Sequence, residues 1–408
     1  MKNSLEKSDY FNSHFTGFSL YDPLLDQYLY EWNADKYFNL ASNTKLLTYY
    51  AGLKLLGDSI PALKYRTQND TLFFTGTGDP SFLNIVFKDQ PTFEFLKDRK
   101  EDLVYVSPLF YDRSQAAGWT WEDYEYYYQP ERSGFPIYGN EVSFVYDSTT
   151  KVFQVLPTFF KDYTEILSET NSSPQRIKNI NSFNYKPDTS RSQHKNRVPF
   201  IVSDELIVEL LSDTLNKELS WLDTRYMDFP NTFYSMPSKR LYAYMLKASD
   251  NLIAEHLHYL ICTQMGLAMR SSTIREYVKR NFFQDVKNQP IWKDGSGLSR
   301  YNLATPRFMI ELLVKIGREV DMDELKSMLA IGGVDGTIRH WYKANEGESP
   351  FVFAKTGTLS NNHNLTGVIT TRSGRNLFFS FMNNNYSGRS SPVKSQMEKV
   401  LRMIHEEY

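Results

Sequence analysis

The sequence predicts an α+β fold: an antiparallel sheet flanked by helices, with a β-rich domain inserted into it. Three observations predict it: a hairpin pattern near the start, a second hairpin followed by a helix at the end, and short strand-like runs and turns over residues 63–202. The first and last elements are expected to share one sheet, built from residues 1–62 and 203–408. Residues 63–202 are expected to form the insert, with room for two subdomains. At 408 residues the chain is long enough for two or three domains.

The elements follow in order. Residues 18–22 and 27–32 alternate as a hairpin, with Asp22-Pro23 at the turn. Leu46, Leu47, Tyr50, Leu53 and Leu56 recur at helical spacing, and Gly57 offers a stop. That helix is apolar over most of its circumference, which predicts burial inside a domain. Strand-like runs follow at residues 71–74, 103–106 and 141–146, and the aromatic segment 119–128 reads as part of the same β-like texture. Residues 170–197 are polar and poorly periodic, the pattern of loops and weak strands. Helical periodicity returns at 204–211 and is strong through 238–260. Strands at 351–354, 365–370 and 376–381 and a helix at 391–407 close the chain.

Composition narrows the function. Lys+Arg of 46 against Asp+Glu of 48 gives a net charge of -2, without the basic stripe that nucleic acid or an acidic membrane surface requires. No run approaches the ~20 apolar residues of a membrane span, so no transmembrane segment is expected. The single cysteine, Cys262, lies in an apolar stretch and reads as a buried small hydrophobe. No metal or cofactor motif is present: His256 and His258 point to different helix faces, and Gly295-Ser296-Gly297 lacks the Lys-Ser/Thr of a phosphate loop. Asn361-Asn362-His363-Asn364 reads as a polar turn.

Three strings carry chemistry: Ser42-Asn43-Thr44-Lys45, Ser249-Asp250-Asn251 and Lys355-Thr356-Gly357. Ser42 and Lys45 are three apart, which on a helix puts them on one face. Ser42 as a simple helix cap is the bland alternative. Against it, a lysine in the first turn meets the positive end of the helix dipole, and that field with burial lowers its pKa. A neutral lysine amine beside a serine hydroxyl is a base and nucleophile pair. Ser249-Asp250-Asn251 interrupts an apolar helical pattern and is either a solvated face or a proton relay plus an amide that holds substrate or lysine. Lys355 sits at the end of an apolar strand, where it either guards the edge or attracts an anion. Gly357 lets another backbone approach, and the N–H groups of Ser42 and Thr358 are natural donors to an oxyanion.

In this combination the three strings are the signature of penicillin-binding proteins and class A β-lactamases. The chain resembles the D-alanyl-D-alanine carboxypeptidase/endopeptidase class of low-molecular-mass (class C) penicillin-binding proteins, in particular the subgroup with a large insertion between the first two motifs. Ser249 follows Ser42 by 207 residues, as that subgroup requires. Gly76-Thr77-Gly78-Asp79-Pro80, Gly118-Trp119-Thr120-Trp121-Glu122-Asp123, Asp294-Gly295-Ser296-Gly297-Leu298-Ser299-Arg300 and Gly333-Val334-Asp335-Gly336-Thr337 extend the likeness over almost the whole chain. Leu40-Ala41 stands where the family often has Pro-Ala.

The resemblance implies a β-lactamase/transpeptidase-like fold and a serine DD-peptidase acting on D-Ala-D-Ala ends, and on D-Ala cross-links, of peptidoglycan stem peptides. It implies an acyl-enzyme, no cofactor and inhibition by β-lactams. In this likeness Ser42 is the nucleophile, Lys45 the base, and Ser249 with Asn251 the relay and positioning pair. Lys355, Thr356, Gly357 and Thr358 bind the terminal carboxylate, and Asp123 and Arg300 hold the free amino-acid end of the substrate side chain. The substrate implies a periplasmic or other extracytoplasmic location. Residues 1–8 lack the apolar core of a signal peptide, so either the protein is cytoplasmic or an export signal has been removed, and the substrate that the resemblance implies favours removal. The alternatives are a β-lactamase and a non-turnover penicillin-binding sensor. Against the first, no Glu-x-x-Leu-Asn string lies between the first two motifs. Against the second, all three motifs are intact.

Overall fold

A computed structural model describes residues 2–147, 149–150, 152–167, 174–186, 193–224 and 227–408. The chain divides into two compact units. One comprises Met1–Gly57, Ser238–Ala254 and Ser271–Tyr408, and the other Asp58–Pro237 and Glu255–Arg270.

The first unit is built on a six-stranded sheet in the order Ala330–Ile331, Val352–Leu359, Asn362–Thr370, Asn376–Asn384, Phe15–Asp22, Gln27–Trp32. Every neighbouring pair is antiparallel, and the first hairpin of the chain joins the last one through Phe15–Asp22 and Asn376–Asn384. The sheet with the two ends of the chain side by side is the α+β architecture expected. Its central strands are buried along nearly their whole length. An antiparallel sheet shows that pattern only when both faces are covered. On one face the closing helix, Ser390–Glu407, buries Val393, Met397, Leu401 and Ile404 against Leu365, Phe379 and Phe381. The helix Pro306–Gly317 buries Phe308, Met309, Leu312, Leu313 and Ile316. The helix Lys45–Leu55 has every residue from Lys45 to Gly52 buried, as its all-round apolar sequence predicts.

The second unit carries a five-stranded sheet in the order Leu219–Leu222, Asp102–Val106, Thr71–Gly76, Ser59–Gln68, Asn231–Pro237, together with two three-stranded sheets. Its core gathers Leu72, Phe74, Leu103, Tyr105, Phe135, Phe144 and Phe183 with Leu210 and Leu211 of the helix Asp204–Leu215. The bounds therefore differ from the expected 63–202. Asn231–Pro237 pairs with Ser59–Gln68, which draws both strands and the intervening helix into this unit. Residues 255–270 join it as well: Thr263 Oγ1 donates to the Thr77 carbonyl at 3.1 Å.

Two local expectations are corrected. The aromatic segment 119–128 forms no strand but a short 3-10 turn, Trp121–Glu125. Its rings are met by cations: Lys178 lies 4.6 Å from the Trp121 ring, Arg176 5.0 Å from Tyr124 and Arg197 5.1 Å from Tyr127. The polar string at 361–364 is a turn only at Asn361. Asn362, His363 and Asn364 continue as strand, in register with Leu359, Thr358 and Gly357. Of the region 170–197, residues 170–173 and 187–192 lie outside the described residues, and the remainder contains the short strands Gln175–Arg176 and Phe183–Tyr185 and the strand Gln193–Pro199.

Candidate active site

The three strings meet in the first unit, each at an interruption of regular structure. Ser42 lies in a 3-10 turn, Ala41–Thr44, that runs directly into the helix beginning at Lys45. The residue before it, Ala41, holds a positive φ of 47°. A non-glycine residue there is strained and persists only where its surroundings enforce it. Here asparagines do so: Ala41 N donates to Asn39 Oδ1 at 3.1 Å, and Asn364 Nδ2 donates to the Asn39 and Leu40 carbonyls at 2.7 and 3.2 Å. Asn43 Nδ2 in turn donates to Thr366 Oγ1 at 2.8 Å, tying the turn to the sheet.

Two glycines let backbone close on this turn. A Cβ on Gly357 would stand 2.3 Å from the Leu40 carbonyl oxygen, and one on Gly297, at φ +87°, 1.9 Å from that of Ala41. The sequence predicts close approach of another backbone at Gly357, and the backbone found there is the protein's own. On the outer edge of Val352–Leu359 the short strand Ala330–Ile331 pairs only with Ala354 and Phe353. The ladder on that edge stops just before Lys355.

Lys45 is fully buried and donates to three acceptors: Ser42 Oγ at 3.1 Å, Asn251 Oδ1 at 2.6 Å and the Ser296 carbonyl at 2.6 Å. Two of these, an amide oxygen and a backbone carbonyl, can only accept. In the neutral amine both N–H bonds therefore go to Asn251 and Ser296, and the lone pair faces Ser42, whose hydroxyl is able to donate. Two exclusive acceptors aim the amine at the Ser42 hydroxyl.

Ser249 and Asp250 form a break between the helices Ser238–Ala248 and Asn251–Gln264. Ser249 adopts φ +61°, and Asp250 caps the second helix, its Oδ1 accepting from Ile253 N at 2.9 Å. The break turns the Ser249 hydroxyl toward the lysine strand and leaves Asn251 at the start of the next helix, facing Lys45. Lys355 Nζ donates to Ser249 Oγ and to the Thr356 carbonyl, both at 2.9 Å. Lys355 is completely buried, and burial, reinforced by the charge of Lys45, holds its ammonium well below the usual lysine range. Thr356 Oγ1 donates to Thr337 Oγ1 at 2.8 Å, and Thr358, which is exposed, shares a 2.8 Å hydrogen bond with His363 Nδ1.

Direct hydrogen bonds thus join Ser42, Lys45 and Asn251 in one set and Ser249, Lys355 and Thr356 in another, with Asn251 two residues from Ser249 in the chain and Gly357 packed against the Ser42 turn. Asp123 and Arg300 are not joined to either set by such bonds. Asp123 belongs to the second unit, where its carboxylate hydrogen-bonds Tyr128; burial, and then that carboxylate, raise the phenol's pKa. Arg300 is exposed in the first unit, and its carbonyl accepts from Asn39 Nδ2 at 2.7 Å.

The string Asp294–Arg300, part of the family likeness, also supports Lys45, a role the sequence does not give it. The loop that presents the Ser296 carbonyl is wound around Asp294, which accepts from Gly297 N at 2.8 Å, Ser299 N at 2.6 Å and Asn302 Nδ2 at 2.7 Å. The contributing group at Ser296 is a backbone carbonyl, which no residue type advertises. The Asp-x-x-Gly pattern, an acceptor followed by a glycine able to take positive φ, is the available signal for the loop.

The pattern that defines the D-Ala-D-Ala carboxypeptidase 3 (S13) family matches residues 2–198 and 232–405. A stretch of 159 residues is 33% identical to the D-alanyl-D-alanine carboxypeptidase DacB of Haemophilus influenzae, covering 38% of this chain and 33% of that protein. The matched stretch thus spans about a third of the relative's length. The crystal structure of penicillin binding protein 4 (dacB) from Haemophilus influenzae is similar over 99% of this chain and 98% of its own, at 20% identity and a TM-score of 0.77. The same protein complexed with a novel beta-lactam matches over 96% of both chains, at 19% identity and a TM-score of 0.69. At these identities the structures establish a shared fold. The family pattern covers most of the sequence, and the chain belongs to the D-Ala-D-Ala carboxypeptidase 3 (S13) family.

Proposed function

We propose that the chain is a serine DD-peptidase that cleaves D-Ala-D-Ala ends of peptidoglycan stem peptides through an acyl-enzyme, and that β-lactams acylate the same serine. The observation that carries the proposal is the buried Lys45 amine, held by Asn251 Oδ1 and the Ser296 carbonyl so that its third position faces Ser42 Oγ. In this reading Ser42 Oγ attacks the carbonyl carbon of the penultimate D-Ala and its proton passes to Lys45 Nζ. The oxyanion accepts from the N–H groups of Ser42 and Thr358. The C–N bond then breaks, and the leaving D-Ala amine takes the proton of Ser249, which regains one originating from Lys45. Water hydrolyses the Ser42 ester, releasing the shortened peptide and restoring the serine.

Lys355, Thr356 and Thr358 receive the terminal carboxylate. An anion there relieves the cost of a buried ammonium, which supports substrate selection by charge. The open ladder edge beyond Ala354 supports strand-like docking of an extended peptide. Arg300, exposed in the first unit, is proposed to hold the carboxylate of the substrate's amino-acid side chain. Such a substrate lies in the periplasm or another extracytoplasmic space.

Intact-mass spectrometry after exposure to penicillin tests the proposal. The expected result is a stoichiometric adduct on Ser42, long-lived because no deacylating glutamate string is present, and none on Ser42→Ala. An adduct on the Ser42→Ala protein would overturn the assignment, and rapid release of the adduct would favour a β-lactamase.

A further inference from the structure

We propose that Thr337 is a further substrate-binding residue, whose hydroxyl donates to the terminal carboxylate, and that Asp335 positions it. The inference rests on the DD-peptidase reading above.

Thr356 Oγ1 donates to Thr337 Oγ1 at 2.8 Å, so the single hydroxyl proton of Thr356 is committed. Thr337 therefore stands one hydrogen bond from a residue that receives the carboxylate. Thr337 is the acceptor in this pair and keeps its own proton. A hydroxyl that accepts one hydrogen bond becomes a better donor of the next, so Thr356 strengthens Thr337 as a donor. Lys355, beside them, spends N–H bonds on Ser249 and on the Thr356 carbonyl. Beside Lys355 and Thr358 the carboxylate subsite therefore holds a two-hydroxyl chain, Thr356 and Thr337, in which the proton not spent within the chain belongs to Thr337.

The loop before Thr337 is fixed in a way that suits such a role. Asp335 Oδ1 accepts from Ile331 N at 2.8 Å, and its Oδ2 pairs with Lys247 Nζ at 2.7 Å. Lys247 stands two residues before Ser249, at the end of the helix Ser238–Ala248. Gly336, at φ +62°, allows the loop to seat: a Cβ there would lie 2.8 Å from the Lys247 carbonyl oxygen and 2.6 Å from Ala330 Cβ. Asp335 thus ties the Ser249 turn, the Ala330–Ile331 strand and Thr337 into one piece. Thr337 itself is only partly buried, and so remains open to a ligand.

The test compares kcat/KM on a D-Ala-D-Ala peptide with a free terminal carboxylate and on its C-terminal amide, for the parent, Thr337→Val, Thr337→Ser and Asp335→Asn. Thr337→Val should lose roughly ten- to a hundredfold on the acid, the size of one hydrogen bond to a charged group, and at least ten times more than on the amide. Thr337→Ser, which restores a hydroxyl, should recover most of that loss. Asp335→Asn keeps the acceptor for Ile331 N but drops the ion pair, and should raise KM for the acid with the smaller change in kcat. Equal losses on acid and amide, or Thr337→Ser no better than Thr337→Val, would overturn the assignment. A parent protein that forms no penicillin adduct would instead overturn the reading underneath, independently of Thr337.

Discussion

Lys45 and Lys355 are two buried lysines that both spend N–H bonds on acceptors. Lys45 has acceptors for its N–H bonds, and removing it leaves Asn251 Oδ1 and the Ser296 carbonyl without that donor. Lys45→Ala should cost about 10²–10⁴-fold in acylation, measured as the rate of penicillin adduct formation, because the hydroxyl loses its base. Lys355 is destabilised by burial and by the charge of Lys45. A lowered folded-state pKa means that the cost of its ammonium is fully felt below that pKa. The cost is relieved as pH rises from there toward the unfolded lysine's 10.5. Lys355→Met should therefore melt above the parent at neutral pH, with the gap closing in alkaline solution, while acylation by carboxylate-bearing β-lactams falls. Calorimetry across pH, run beside acylation kinetics, checks both halves. A lower melting temperature for Lys355→Met would mean that the lysine is a net stabiliser.

At the scale of elements, the Ser42 turn is fixed by backbone packing more than by its own sequence. Residues 294–299 approach Ala41 because Gly297 has no side chain and tolerates φ +87°. Gly297→Ala should push that loop away and carry the Ser296 carbonyl off Lys45. The expected outcome is at least a tenfold fall in acylation rate, with a loss of a few kcal/mol in stability by denaturant titration, as for strained backbone positions. Unchanged acylation would show that the Ser296 carbonyl does not aim Lys45. The helix from Lys45 was legible because its apolar positions repeat, and the break at Ser249 because three polar residues interrupt an apolar pattern. The strand at 362–364 was not, because Asn and His have little intrinsic preference for strands. Pairing with Leu359, Thr358 and Gly357 across the hairpin overrides that preference.

Over the whole molecule, acid should unfold both units by the same means. His256, in the second unit, and His363, in the first, are buried, and burial lowers both pKa values to about 3 from 6.5. Unfolded histidine takes up a proton as pH falls below 6.5, which the folded form does not. Each histidine thus contributes stability that is fully present above pH 6.5 and lost progressively toward pH 3. The slope approaches about 1 kcal/mol per pH unit for each histidine in that window. His363→Asn should flatten the acid limb of a melting-temperature profile, and an unchanged limb would assign the acid sensitivity to other groups. Cys262, fully buried, should resist thiol reagents until the protein unfolds, which a labelling time course in denaturant would register.

The sequence by itself determined what is local or repeated along the chain: the α+β class, the buried helix behind Ser42, the hairpins at both ends, and the three strings with their residue chemistry. Those features depend on residue type and spacing, which a linear reading preserves. Only the tertiary structure decided that Asn231–Pro237 returns to pair with Ser59–Gln68, that the Ser296 carbonyl and Asn251 aim Lys45 at Ser42, and that Thr356 gives its proton to Thr337. These are contacts between residues far apart in sequence, several made by backbone atoms that every residue type shares. A backbone carbonyl becomes a specific partner only once the fold has brought it to its donor.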